Sequence, residues 1–209
     1  MTPSRKQLSI GLAVLAVLIV LWSLFGPEKK TDVLNLDSRG TTIVAFGDSL
    51  VQGVGSTSGN DFVSLLSGAI GRPIVNLGKS GDTTALALAR IDTIFEHDPR
   101  IVIVLLGGND FLRRIPMDTT FENLSIIVKA IQARGAAVLV LGVRGGLLYD
   151  SYRARFASCA KEHRPAFVPN VLDGLVGDVR LMSDSIHPNN VGHEMIANKV
   201  LPVLKGMLD

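Results

Sequence analysis

The nine residues TIVAFGDSL at positions 42–50 decide how this chain folds. The first five, Thr42–Phe46, are apolar or β-branched and do not alternate with polar residues, which is typical of a strand covered on both faces in a parallel sheet. Gly47 and Asp48 then favour a turn, which holds Ser49 between the strand and a following helix. A strand that passes through a turn into a helix is the first half of a βα unit, and its serine lies at the carboxyl end of the strand.

The alternation of apolar runs and amphipathic segments continues to the end of the chain. Further strands are predicted at Ile74–Leu77, Ile101–Leu106, Ala137–Val143 and Ala166–Val171. Helices are predicted at Asp61–Ile70, Thr84–His97, Phe121–Arg134, Asp150–His163 and Val191–Leu208. Five βα units without an internal repeat predict one doubly wound α/β domain, in which the carboxyl ends of the strands carry the chemistry.

An apolar segment precedes the predicted domain. No charged residue lies between Lys6 and Glu28, and the run Leu8–Phe25 is long enough for a helix that crosses a bilayer. A cleavable signal sequence would have a shorter apolar run and a pair of small residues at its cleavage site, and neither is present. A buried core helix is disfavoured because no other segment is apolar enough to enclose it. We therefore expect a membrane anchor at 1–27, a polar linker at 28–40 and one domain at 41–209.

The charge balance argues against nucleic acid as a partner. The chain has 21 Lys and Arg against 19 Asp and Glu, but residues 31–209 carry 17 basic and 18 acidic side chains. The excess positive charge flanks the apolar segment, where the free amino terminus and Glu28 favour a domain outside the cytoplasm, on the periplasmic or cell-surface side. The single cysteine, Cys159, excludes an intrachain disulfide.

Four polar motifs follow the predicted strands or precede the last helix. They are Gly47-Asp48-Ser49-Leu50, the stretch Asn76–Thr83, Gly107-Gly108-Asn109-Asp110 and Asp184-Ser185-Ile186-His187-Pro188. Each motif alone is explained about as well by a glycine turn, an Asx bond or a helix cap.

Together these motifs hold the parts of a serine-nucleophile site. Ser49 can act as a nucleophile, and the Asn109 amide can donate to a developing oxyanion. Asp184, three residues before His187, can orient an imidazole base toward the serine. The pair His193-Glu194 lacks a second histidine four residues on, so a zinc-protease site is not predicted.

With these motifs the chain resembles the SGNH, or GDSL-type, family of serine hydrolases over residues 41–209. It is most similar to the small bacterial branch that contains acyl-CoA thioesterase I, lysophospholipase L1 and arylesterase, through Ser80–Thr83 and the Gly-Gly-Asn-Asp stretch. The resemblance implies a three-layer α/β/α sandwich whose five parallel strands follow the order 2-1-3-4-5. It also implies a reaction that needs no metal and no cofactor.

The resemblance assigns roles to individual residues. It implies Ser49 as the nucleophile, His187 as the general base and acid, and Asp184 as the residue that orients His187. The implied oxyanion hole consists of the backbone N–H groups of Ser49 and Gly81 and the side chain of Asn109.

The loop after the fourth predicted strand departs from the family pattern. Thioesterase-like relatives have a polar, proline-containing loop there, whereas this chain reads Arg-Gly-Gly-Leu-Leu-Tyr at 144–149. Leu147, Leu148 and Tyr149 are candidates for a substrate pocket, and a partly buried loop explains them equally well. The departure concerns acyl-chain preference and leaves the hydrolytic residues intact.

The sequence thus predicts a membrane-anchored serine hydrolase that cleaves carboxylic ester or thioester bonds of small acylated substrates, as arylesterases, lysophospholipases and thioesterases do. An O-acetyl esterase acting on cell-wall or exported polysaccharide is an alternative that uses the same residues. A non-catalytic, membrane-anchored binding module is the alternative from another class. The oligomeric state does not follow from the sequence.

Overall fold

The structure is a computed structural model that describes residues 33–146 and 150–209. Within these residues, parallel strands form one five-stranded sheet in the order β2-β1-β3-β4-β5, as expected. The strands are β1 (Thr42–Gly47), β2 (Ile74–Gly78), β3 (Pro99–Leu105), β4 (Ala137–Leu141) and β5 (Ala166–Val168). The register runs without interruption from β1 into β2 and from β3 into β4, so the carboxyl ends of the strands meet along one edge.

Helices cover both faces of this sheet. The longer ones are α2 (Phe62–Ile70), α6 (Met117–Ala133), α7 (Arg153–His163) and α8 (Asn190–Gly206). Short helices are α1 (Ser49–Gln52), α3 (Thr84–Leu88), α4 (Asp92–Phe95) and α5 (Gly108–Leu112). Helix α2 packs against α8, whereas α6 packs against α3 and α7, which gives the expected three-layer arrangement.

The central strands are buried on both faces, which explains their uninterrupted apolar sequences. Every residue of β4 is buried, and so are the last five residues of β1 and of β3. Because water reaches neither face, both the odd and the even positions of these strands favour apolar side chains.

The single helix predicted over Thr84–His97 is wrong, because the structure has two short helices there, α3 and α4. The break between them contains Arg90, whose side chain reaches back to the carboxyl edge of the sheet. Its Nε donates to Asp82 Oδ2 at 2.6 Å and its Nη2 donates to the carbonyl oxygen of Gly47 at 3.0 Å. Helical periodicity depends on nearby residues, so it could not predict a break that these longer-range contacts accompany.

The anchor predicted at 1–27 lies outside the described residues, as does the first part of the linker. None of the helices described between residues 33 and 209 is long and apolar enough to cross a bilayer. Val33 and Leu36 pack against the core of the domain, and the Leu34 N–H donates to the carbonyl oxygen of Arg164 at 3.0 Å. The described chain therefore begins in contact with the domain.

Candidate active site

Ser49 is the first residue of α1, directly after the Gly47-Asp48 turn that ends β1. The Asp48 side chain caps this helix by accepting the Leu50 N–H at 3.0 Å. A Cβ atom on Gly47 would lie 2.2 Å from the carbonyl oxygen of Leu105, so only glycine allows β1 and β3 to approach so closely here. The turn thus holds the serine, which is only 8% exposed, at the carboxyl edge of the sheet.

His187 lies within hydrogen-bonding distance of the serine, although the two residues are 138 positions apart. Its Nε2 is 3.0 Å from Ser49 Oγ. The segment that carries it is closed by hydrogen bonds from the N–H and the hydroxyl of Ser183 to the His187 carbonyl oxygen, at 2.8 and 3.1 Å. These bonds hold the imidazole at the serine before any substrate binds.

Asp184 contacts the other nitrogen of the same ring. Its Oδ2 is 2.7 Å from His187 Nδ1, and its Oδ1 accepts the backbone N–H groups of Ile186 and His187 at 2.8 and 2.7 Å. The hydrogen bond from His187, followed by these backbone bonds, lowers the pKa of Asp184 to about 2. The carboxylate therefore stays ionised at neutral pH, accepts Nδ1–H, and leaves Nε2 to accept a proton from the serine.

Gly81 and Asn109 lie on the two loops beside the serine. Gly81 has a φ of +83°, and its N–H has no protein acceptor among residues 33–146 and 150–209. The Asn109 Nδ2 donates one hydrogen to the carbonyl oxygen of Asp82 at 3.0 Å, which joins the two loops. An amide nitrogen carries two hydrogens, so the second remains available in the cleft that Asn109 lines.

The aspartates of the motifs support this arrangement. The buried Asp110 accepts the Thr84 N–H at 2.9 Å and the Thr84 hydroxyl at 2.6 Å, and so joins α5 to the start of α3. Asp82, also buried, is paired with Arg90. Neither carboxylate is directed to the cleft, which explains why the motifs contain acidic residues that take no part in a nucleophile–base pair.

Asp48 differs from the other two buried aspartates in its hydrogen bonds. Among the described residues its carboxylate accepts only the Leu50 N–H, whereas Asp82 is paired with Arg90 and Asp110 accepts two donors from Thr84. Burial raises the pKa of its carboxyl group to about 7, although the Leu50 N–H acts in the opposite direction. It lines the cleft beside Ser49. A protonatable group therefore lies next to the nucleophile.

Two arginines that the motifs did not indicate also contribute to the site. Arg90 ties the end of β1 to Asp82, and the Arg113 Nη2 donates to the carbonyl oxygen of Gly81 at 2.9 Å. Neither lies within a recognised motif, and only their contacts in the fold reveal them. Cys159 is no rival nucleophile, since burial raises the pKa of its thiol to about 11.

A cleft of about 260 Å³ opens at Ser49, Asn109 and His187. Its walls are mostly apolar: Leu50, Phe111, Leu112, Val143, Leu172, Val176 and Ile186. Phe111 is 38% exposed, and its ring packs edge-on against Tyr152 with 5.8 Å between centroids. The pocket candidates Leu147, Leu148 and Tyr149 lie outside the described residues, whereas their neighbours Arg144 and Gly146 line the cleft.

Comparison with known proteins shows the family to which the chain belongs. A model of the GDSL-like Lipase/Acylhydrolase family matches residues 45–195. The chain belongs to this family. The resemblance drawn from the four motifs is thus confirmed, and the chain is a serine hydrolase of the esterase class.

Individual relatives of this GDSL-family hydrolase cover most of its length. Esterase TesA of Pseudomonas aeruginosa is 30% identical over 188 residues, which are 84% of this chain and 94% of that protein. Thioesterase 1/protease 1/lysophospholipase L1 of Escherichia coli K12 is 29% identical, over 80% of this chain and 85% of its own. A crystal structure of TesA superposes with a TM-score of 0.75 at 31% identity, and covers 80% of this chain and 99% of that one.

Proposed function

We propose that this GDSL-family hydrolase cleaves carboxylic ester or thioester bonds of small acylated substrates through an acyl-enzyme on Ser49. The observation that carries the proposal is the chain of contacts from Ser49 Oγ to His187 Nε2 at 3.0 Å and from His187 Nδ1 to Asp184 Oδ2 at 2.7 Å. A serine hydroxyl is a weak nucleophile, and an adjacent base oriented by a carboxylate is what activates it.

In the acylation step, Ser49 Oγ attacks the acyl carbon while His187 Nε2 takes the hydroxyl proton. The electron pair of the carbonyl bond moves to its oxygen, which then accepts hydrogen bonds from the Ser49 and Gly81 N–H groups and from the Asn109 amide. When the tetrahedral intermediate collapses, the bond to the leaving oxygen or sulfur breaks. The leaving group takes the proton from His187.

In the deacylation step, water attacks the acyl carbon and gives its proton to His187 Nε2. Collapse of the second intermediate releases the carboxylic acid and returns the proton to Ser49 Oγ. Asp184 stabilises the imidazolium that forms in each half of the reaction. It can do so across the neutral range because its pKa lies near 2.

The apolar wall of the cleft supports the proposal that the substrates are acylated. Phe111, Leu112 and Ile186 are between 38% and 53% exposed, although large apolar side chains are usually buried. They lie around the reacting serine, where they can cover the hydrocarbon part of an acyl group. The breadth of this wall favours an acyl group longer than acetyl, and so argues against an O-acetyl esterase.

Chromogenic esters of graded acyl length test this proposal. We expect hydrolysis of the butyrate and longer esters with kcat/KM at least equal to that of the acetate ester, because each added methylene gains apolar contact. A strict preference for acetate would favour the O-acetyl esterase. The pair of variants Leu112→Ala and Leu86→Ala, of which only the first alters the cleft, separates a local effect from a general one.

An organophosphonate probe followed by mass spectrometry tests the assignment of the nucleophile. We expect one covalent adduct, on the peptide that contains Ser49, and none in Ser49→Ala protein. Folded wild-type protein without an adduct would instead favour a non-catalytic binding module.

We further propose that residues 1–27 anchor the hydrolase in a membrane with its domain outside the cytoplasm. The support is the uncharged apolar run Leu8–Phe25 together with the charges that flank it. A reporter that is active only outside the cytoplasm, fused after Asp209, should be active. Activity of a cytoplasmic reporter alone would contradict the orientation, and release of the protein by high salt would contradict the anchor.

A further inference from the structure

The turn that carries Gly81 is held at both of its ends. This Gly81 turn spans Lys79 to Asp82, and the Asp82 N–H donates to the carbonyl oxygen of Lys79 at 3.1 Å. With Gly81 in its third position at a φ of +83°, it has the geometry of a type II turn. The Lys79 N–H donates to the Gly47 carbonyl oxygen at 2.9 Å, and the Asp82 carbonyl oxygen accepts from the Asn109 amide at 3.0 Å. Bonds at the two ends do not fix the middle, because a turn can tilt about the line that joins its ends.

Two side chains form hydrogen bonds with the two middle residues of the Gly81 turn. The Gln52 Oε1 accepts the Ser80 N–H at 2.7 Å. The Arg113 Nη2 donates to the Gly81 carbonyl oxygen at 2.9 Å. One middle residue is therefore held through its donor and the other through its acceptor, so a tilt of the turn would stretch these bonds.

These two side chains come from the helices that carry the other parts of the site. Gln52 is the last residue of α1, which begins at Ser49, and Arg113 directly follows α5, which contains Asn109. The loop also lies against the backbone of α1, since a Cβ atom on Gly78 would be 2.1 Å from the Gln52 nitrogen. The turn is thus tied to the helix of the nucleophile and to the helix of the Asn109 donor.

Stability alone does not account for these two bonds. Gln52 and Arg113 are both exposed, and hydrogen bonds of exposed side chains contribute little to stability because water can replace either partner. Position is a more demanding requirement, since a displacement of about 1 Å in a catalytic group can lower turnover by on the order of 10²-fold. A backbone donor to an oxyanion is therefore a group whose exact placement matters more than its contribution to folding.

We infer that Gln52 and Arg113 are positioning residues, which fix the tilt of the Gly81 turn so that the Gly81 N–H is directed at the developing oxyanion. Neither side chain needs to touch the substrate, because each acts through the backbone of the turn. The inference rests on the proposed ester hydrolysis at Ser49 and extends it. It gives a role to Gln52, which lies outside the four motifs.

Substitution of the two side chains tests their effect on turnover. Gln52→Ala and Arg113→Met should each lower kcat for a butyrate ester about tenfold and change KM less than about twofold, because the oxyanion exists only beyond the ground state. Two variants are matched controls and should keep the wild-type kcat. They are Gln132→Ala, whose amide donates to the His163 carbonyl oxygen at 2.8 Å, and Arg114→Met, an exposed neighbour outside the cleft. A wild-type kcat in Gln52→Ala or in Arg113→Met would overturn the role of that residue.

Butylboronic acid separates a positioning role from a general structural one. Ser49 Oγ adds to the boron while its proton passes to His187, and an oxygen of the resulting anionic boronate takes the place of the oxyanion. We expect the inhibition constant to rise about tenfold in Gln52→Ala and in Arg113→Met, in proportion to the loss of kcat/KM. A loss of kcat with an unchanged inhibition constant would overturn the inference.

NMR relaxation of the full chain, labelled with ¹⁵N-glycine, keeps this inference distinct from the proposed function. We expect the order parameter of the Gly81 N–H to be near the value of about 0.85 that is typical of rigid backbone. It should be lower in Gln52→Ala and unchanged in Gln132→Ala. If no ester is hydrolysed, the proposed function is contradicted, and this measurement still tests whether Gln52 holds the turn. A Gly81 N–H whose order parameter and chemical shift are both unchanged in Gln52→Ala would overturn the inference.

Discussion

The two edges of the parallel sheet differ in how their hydrogen-bond donors are used. At the carboxyl edge, Ser49 after β1, Asn109 after β3 and His187 before α8 line one cleft, and Gly81 lies on the loop after β2. The N–H of Gly81 and one hydrogen of the Asn109 amide are left without a protein acceptor in the described part of the chain. Such open donors are what an oxyanion requires.

At the amino edge, the donors are used within the protein. The Asn35 Nδ2 donates to the carbonyl oxygens of Gln132 at 2.8 Å and of Ala136 at 3.2 Å, just before β4. The Thr41 N–H donates to the carbonyl oxygen of Asp98, just before β3, at 3.0 Å. Residues 33–41 thus close this edge.

We therefore expect activity and stability to depend on opposite ends of the same strands. Substitutions at the carboxyl edge should lower turnover with little loss of stability, and substitutions at the amino edge should do the reverse. Four substitutions, from the largest expected effect to the smallest, test this separation.

Ser49→Ala should have the largest effect. Loss of the nucleophile is expected to lower kcat by on the order of 10⁴–10⁶-fold, with the fold retained, because the hydroxyl bonds only to His187 in the described structure. Esterase assays and urea unfolding measure the two quantities. A variant that keeps more than a hundredth of the wild-type kcat would contradict the assigned nucleophile.

Asn109→Ala should have the second largest effect. Loss of one oxyanion donor typically lowers kcat by about 10²–10³-fold, whereas KM should change little. Asn123→Ala is the matched control, since the Asn123 amide donates to Thr84 Oγ1 at 3.2 Å and lies outside the cleft. Similar kcat values for the two variants would contradict the assignment of Asn109 to the oxyanion hole.

Asp48→Asn should increase stability at neutral and alkaline pH. The native carboxyl keeps its proton up to about pH 7, whereas the unfolded one loses it near its ordinary pKa of 3.8. Stability that is present below pH 4 is therefore lost as pH rises to 7, by on the order of 4 kcal/mol.

The asparagine variant removes this dependence, because an amide does not titrate and its oxygen can still cap the Leu50 N–H. Urea unfolding of both proteins at pH 5 and pH 8 measures the difference, which should favour Asp48→Asn more strongly at pH 8. Parallel stability curves for the two proteins would contradict the raised pKa of Asp48.

Asn35→Ala should have the smallest effect, confined to the amino edge. It removes two hydrogen bonds and places alanine at a φ of +62°, so we expect a loss of about 1–3 kcal/mol in the free energy of unfolding and an unchanged kcat. Asn35→Gly removes the same hydrogen bonds, but glycine adopts a positive φ without strain, so this variant should lose less of the free energy of unfolding. An altered kcat in either variant would show that the two edges are coupled.

The parts of the fold that were predictable depend on neighbours in sequence. The strands were recognisable because β1, β3 and β4 are buried on both faces, and that burial is visible as uninterrupted apolar runs. The division of the predicted helix at Thr84–His97 was not recognisable, since Arg90 bonds to Asp82 and to Gly47, which is 43 residues away.

The same distinction holds within the site. Ser49, Asn109, Asp184 and His187 could be predicted as site residues because each stands in a short motif beside a strand end or a helix start. Asp184 and His187 are also neighbours in sequence, so their hydrogen bond is a local property. The hydrogen bond from Arg113 to Gly81 and the raised pKa of Asp48 arise only from residues that the fold brings around them.

The sequence by itself determined the α/β class and the family, and it predicted which side chains react, because periodicity and short motifs are local. The tertiary structure decided that His187 lies 3.0 Å from a serine 138 residues away, and that the buried Asp48 carboxyl has a pKa of about 7. These properties depend on distance and on the exclusion of water, and both arise only when remote segments pack together.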